Sequence, residues 1–171
     1  MKLKIKCTLI GLISLLIISM TGEIAQCANR GVSDSMILKT IYKLSPDINK
    51  SVANKISKSI IKYSKKYGIP PALVLSVMYH ETRFKLKQQN RGCYGLMQIN
   101  YWAHKKEFKI KTSKSLYDID TNINIGCQLL QQYTNNSKQI KIGLYKYVGG
   151  SKHRYVYNVV KLYKKIQGGV V

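Results

Sequence analysis

From residue 34 onward apolar side chains recur at three- and four-residue intervals, and no stretch shows a convincing two-residue alternation of a half-buried strand. A first helix is expected from Asp34 to Leu44, broken by Ser45-Pro46-Asp47. Val52, Ile56, Ile60, Tyr63 and Tyr67 then share one helical face, with lysines on the other. Gly68 is placed to end that helix, Ile69 is pushed to extension by Pro70, and Pro71 suits the first turn of a helix expected to reach about Arg83. Asn90 to Gln98, holding Gly92 and Gly95, reads as a loop. Asp118 or Asp120 can cap a helix whose apolar face is Ile123, Cys127 and Leu130. Ile140, Leu144 and Tyr147 make a short face stopped by Gly149-Gly150, and Val156, Val159, Val160 and Tyr163 mark a last helix before Gly168-Gly169. The pattern predicts a mainly α protein, a compact orthogonal helical domain.

The start of the chain differs. Met1 to Lys6 alternates lysine with other residues, and Cys7 to Met20 is uncharged and mostly apolar. That run is shorter than the roughly 20 residues a bilayer span needs, and Glu23 follows it closely, so a cleaved signal peptide over residues 1–28 is expected rather than an anchor. Ala25-Gln26-Cys27 resembles a small-x-small cleavage site that would begin the mature chain at Ala28. Ile24-Ala25-Gln26-Cys27 also resembles a lipobox, the less favoured reading because Gln26 is a poor residue before a lipidated cysteine. About 140 residues remain for one domain with a substantial core. A hydrophobic fraction of 45% with 12 Gly and 3 Pro excludes wholesale disorder.

Charge and cysteines narrow the partners. Net charge is +22, from 29 Lys+Arg against 7 Asp+Glu. Abundant Lys, Ile and Asn are what an AT-rich coding sequence produces; the functional counterpart is attraction to a polyanion. Export and the scatter of lysines along solvent faces argue against nucleic acid, leaving anionic envelope polymers as the expected partners. Export would remove Cys7, and either processing route removes or modifies Cys27. Cys93 and Cys127 are left, as a disulfide or as two small core residues.

Glu81 is the candidate for chemistry. Leu73, Val74, Val77 and Met78 form an apolar stripe, and Glu81, four residues after Val77, extends it, with Phe84 next on the same stripe. A carboxyl group there loses hydration, and its pKa rises toward that of a general acid. The competing reading is a helix-end Glu in solvent or paired with Arg83. Gly92 and Gly95 permit tight turns and close approach of a ligand, ahead of Leu96-Met97-Gln98-Ile99-Asn100, whose side chains suit a groove. His80, His104 and His153 are dispersed without ligand spacing, so neither metal nor cofactor is expected. Phosphate-binding and Ser-His-Asp arrangements are not apparent.

Together these residues resemble the lysozyme-like lytic transglycosylases. Glu81-Thr82-Arg83-Phe84 followed by Gly92-Cys93-Tyr94-Gly95-Leu96-Met97-Gln98 is similar to that family's Glu-Ser-x-Phe and Gly-Ala-x-Gly-Leu-Met-Gln. Asp118-x-x-x-Asn122-Ile123-x-x-Gly126 and Tyr147-Val148-Gly149-Gly150, with Tyr155-Val156, resemble two further blocks. The resemblance runs from about Val52 to Ile166 and implies a lysozyme-like catalytic domain at 51–168 after an N-terminal segment at 29–50. It implies cleavage of the β-1,4 bond between N-acetylmuramic acid and N-acetylglucosamine in peptidoglycan strands. Glu81 would be the acid and base, and Thr82, Gly95, Met97, Gln98 and Tyr147 the substrate-binding residues. It also packs the Asn122 helix near the loop, where a Cys93–Cys127 bridge would tie the two. The chain departs from the pattern with Thr82 for Ser, Cys93 for Ala, Gln89 for a common Ser and Val148 for Asn, which bears on substrate positioning; Tyr145 is a weaker alternative for Tyr147. A hydrolytic lysozyme and a non-enzymatic cationic envelope binder stay open beside it. The protein is expected to act as a monomer; service to an envelope-spanning secretion machine, a phage or wall turnover is left open.

Overall fold

The protein is described here from a computed structural model, over residues 33–135, 139–150 and 152–171. The expected signal segment lies outside these residues. Ser33 accepts a hydrogen bond from the Met36 amide and starts α1 (Asp34–Leu44). Its Ile37 and Ile41 are fully buried, so this N-terminal helix belongs to the same core as the rest. The Asn49 side chain accepts from the Ser51 and Val52 amides and starts α2 (Lys50–Tyr67), which Gly68 ends in the left-handed conformation at φ 65°. α3 (Pro71–Thr82) begins with proline at its first turn.

α3 departs from the amphipathic helix expected. Every residue from Pro71 to Met78 is buried, because the C-terminal helix (His153–Gln167) covers it on one side and α1 and α2 on others. Each fully buried Leu, Val or Met there stabilises the fold by about 1.5–3 kcal/mol. The stripe that Glu81 extends is therefore part of a helix without a polar face until its last turn.

The expected loop at 90–98 is also more ordered than its pattern suggests. β1 (Gln89–Asn90), β2 (Cys93–Tyr94) and β3 (Ile99–Asn100) form a small antiparallel sheet, pairing Asn90 with Cys93 and Cys93 with Asn100. Strands of two residues are too short to show alternation. Between β1 and β2, Arg91 and Gly92 both have positive φ (47° and 82°), the geometry of a two-residue hairpin turn. α4 (Tyr101–His104) and a 3-10 turn (Ser113–Tyr117) lead to α5 (Ile119–Asn135), followed by α6 (Ile140–Tyr147) and α7 (His153–Gln167). The carboxylate of Asp118 accepts from the Thr121 amide at 2.8 Å and caps α5. Asp120 instead ties α5 to α2, accepting from Ser59, Lys62 and Tyr63. No helix among the described residues is long and apolar enough to cross a membrane.

Candidate active site

Glu81 sits in the last turn of α3, just before the chain reverses. Arg83 and Phe84 both take positive φ (48° and 65°), a conformation costing a non-glycine residue about 1–3 kcal/mol. Burial of the Phe84 ring, 5.8 Å from the Tyr79 ring, offsets that cost. Arg83 is exposed and closes the helix; it does not pair with Glu81. Burial pushes the Glu81 carboxyl above its ordinary range, while the Tyr155 hydroxyl and the Lys152 charge pull it partly back. The Tyr155 hydroxyl donates to Glu81 Oε1 at 2.6 Å from α7, 74 residues further along the chain.

The segment beneath Glu81 is held by buried polar contacts. Asn122, on α5 and 1% exposed, accepts from the Met97 amide at 2.8 Å. Its Nδ2 donates to the Leu116 and Tyr94 carbonyls at 2.7 and 2.9 Å. Gly95 has φ 73°, and a Cβ there would lie 2.1 Å from the Leu116 carbonyl oxygen and 2.3 Å from Asn122 Nδ2. Gly126 makes room in the same way: a Cβ would stand 2.3 Å from the Met97 sulfur. Thr82 is buried and donates to the Leu96 carbonyl at 3.0 Å, joining the end of α3 to this segment.

Above it opens a cleft of about 540 Å³. His80 and Glu81 line it from α3, Asn90, Arg91 and Cys93 from the hairpin, Gln98 from just before β3, Ile99 and Asn100 from β3, and Ala103 and His104 from α4. Leu129 and Tyr133 contribute from α5, Lys146 and Tyr147 from α6, Val148, Gly149 and Lys152 from the connection after it, and Tyr155 from α7. Glu81 is the one acid of this lining among the described residues. Among the described residues the ion pairs are Lys62–Asp120 and His104–Glu107, so Arg91, Lys146 and Lys152 face the cleft without an ion-paired acid. No cluster of His, Cys, Asp or Glu among the described residues can hold a metal ion.

The residues read from sequence divide between the cleft and its support. Gln98 lines the cleft and donates from Nε2 to the Gly95 and Gln88 carbonyls. Tyr147 also lines it, but its hydroxyl donates to the Met97 carbonyl at 2.7 Å, making it a strut between α6 and the central segment. Thr82, Gly95 and Met97, expected to touch substrate, are buried and are not among the residues lining the cleft: the side chain of Met97 packs into the space that Gly126 leaves. Tyr145 pairs with His153 at 2.8 Å and does not line the cleft. The bridge weighed for Cys93 and Cys127 is not formed here. Cys93 lines the cleft and Cys127 is fully buried, each with a free thiol. Burial pushes both thiols up, Cys127 to about 12. Tyr155 stands in the last of the family-like blocks, but its role beside Glu81 is not legible in the sequence. Its neighbour Val156 belongs to the apolar face of α7, but nothing local marks Tyr155 as the partner of Glu81.

Comparison with curated proteins and with solved structures gives no significant match. A family model described as the transglycosylase SLT domain matches residues 58–163, a span that takes in Glu81, the hairpin, Asn122 and Tyr155. The chain belongs to the transglycosylase SLT domain family, the lysozyme-like lytic transglycosylase type that acts on peptidoglycan.

Proposed function

We propose that this protein is an active lytic transglycosylase that cleaves the glycosidic bond from N-acetylmuramic acid to N-acetylglucosamine, with Glu81 as its single acid and base. The observation that carries this reading is Glu81 itself, the one acid lining the cleft, with burial holding its carboxyl above the usual range. With Oε1 engaged by Tyr155, the second oxygen is left to carry the transferable proton. That proton goes to the glycosidic oxygen as the bond to the muramic C1 breaks and positive charge develops there. Among the described residues no second carboxylate lines the cleft, and the substrate's own N-acetyl group is suited to hold that charge, as in substrate-assisted glycosidases. Ionised Glu81 then takes the proton of the muramic 6-hydroxyl as its oxygen closes on C1, leaving a 1,6-anhydro end. Lys152 favours this ionised form, while burial favours the protonated one, so the carboxyl is suited to both halves of the cycle.

The test is digestion of purified sacculi in labelled water, with mass analysis of the released fragments. Anhydro ends without label are expected, and Glu81→Gln should lose a hundredfold or more of the rate while remaining folded. Labelled reducing ends would make the protein a hydrolase. A folded Glu81→Gln chain with near wild-type lysis would remove Glu81 from the reaction.

A further inference from the structure

Trp102 takes no part in the arrangement around Glu81, yet it is the most exposed aromatic side chain among the described residues, at 67%. It stands at the rim of the cleft. Its chain neighbours Asn100 and Ala103 line the cleft, and so do Arg91 and Cys93 on either side of Gly92. The indole lies along that hairpin turn, since a Cβ on Gly92 would fall 3.1 Å from Trp102 Cδ1. The Tyr101 ring meets it edge-on with centroids 5.1 Å apart, and the Lys105 ammonium lies over one face of the indole, 4.4 Å from its centroid. A large ring is thus braced by its neighbours while most of its surface remains in water, beside a polar, cation-lined cleft. The face of the ring that Lys105 does not cover carries partial negative charge and suits the C–H face of a pyranose, and the ammonium on the other face suits hydroxyl or carboxylate oxygens reaching past the ring edge.

We propose that Trp102 is a stacking platform for a further sugar ring of the glycan strand, outside the cleft that holds Glu81, with Lys105 taking a polar group of the same unit. This rests on the reading of the cleft as a glycan site and adds to it a residue that favours long strands over short ones. Trp102 is the one tryptophan in the chain, so indole emission reports on this ring alone. The Glu81→Gln chain, which binds without cleaving, is titrated with the dimer and the hexamer of N-acetylglucosamine. The hexamer should shift the emission to the blue and shield it from acrylamide, while the dimer leaves it unchanged. In calorimetry Trp102→Ala should weaken hexamer binding about fivefold to tenfold, leave dimer binding alone, and be largely rescued by Trp102→Phe. Lysis of sacculi by the wild type, with no emission change on adding hexamer and equal affinity in Trp102→Ala, overturns the platform alone. A wild-type chain that releases nothing from sacculi overturns the glycan reading itself and the platform with it.

Discussion

Replacing Asn122 by alanine should be among the most damaging single changes in this fold, although Asn122 does not line the cleft. The side chain is 1% exposed and satisfies three backbone groups at once: the Met97 amide and the Leu116 and Tyr94 carbonyls. Alanine would leave all three without that partner. An unsatisfied buried polar group costs about 1–3 kcal/mol. Taking about 2 kcal/mol for the amide and about 1 kcal/mol for each carbonyl, which keeps a second lone pair, the loss is about 4 kcal/mol. That is a large share of the 5–15 kcal/mol typical of a whole domain, and corresponds to roughly 10–15 °C in Tm. Asn122→Asp is the informative companion. It keeps the size and the acceptor for Met97, but turns the donor into an oxygen facing two carbonyls, so it should not rescue stability. The assay is urea unfolding followed by helical circular dichroism, with the slope of the transition compared between variants. A loss below about 1 kcal/mol at unchanged slope would refute the reasoning, because it would mean the three groups find other partners.

Two further predictions follow from the titrating groups. Because burial raises the folded-state pKa of Glu81 above its unfolded value near 4.5, the folded chain holds this proton to higher pH. The cost of ionising it is absent below the unfolded value, grows as pH rises through the window between the two, and is complete above the folded value. Glu81→Gln escapes that cost, so its Tm should exceed the wild type's at neutral pH and converge with it below about pH 4; a gap independent of pH would point to packing instead. For the thiols, the thiolate is the reactive form, and Cys93 lines the cleft while Cys127 is fully buried and pushed up to about 12. Iodoacetamide on a chain beginning at Ala28 should alkylate Cys93 well before Cys127 by peptide mass analysis; protection of both until a reductant is added would establish the bridge.

The sequence alone determined the longer helices and several of their ends, because the signals that set them are local; the short α4 and the 3-10 turn carried no such signal. Asp34 to Leu44 was readable from its spacing and from the Ser45-Pro46-Asp47 break, and Gly68 before Pro70-Pro71 marks a boundary within a few residues. It also singled out Glu81 and the Gly95 to Gln98 segment, since the family pattern is carried by residue identity and spacing. Tertiary structure decided what each of those residues does. Thr82, Gly95 and Met97 stand beside Glu81 in the pattern, yet they are buried outside the cleft lining; α5 approaches closely enough for Asn122 to meet Gly95 and Met97 and for Gly126 to meet Met97. The burial of α3 on all sides is likewise set by α1, α2 and α7, and no periodicity within Pro71 to Thr82 encodes it. Tyr155 reaches Glu81 only when α7 packs along α3, bringing together two groups 74 residues apart. Local propensity and capping act over a turn of helix, whereas the desolvation and hydrogen bonding that prepare a carboxyl group for proton transfer come from whatever the packed chain brings against it.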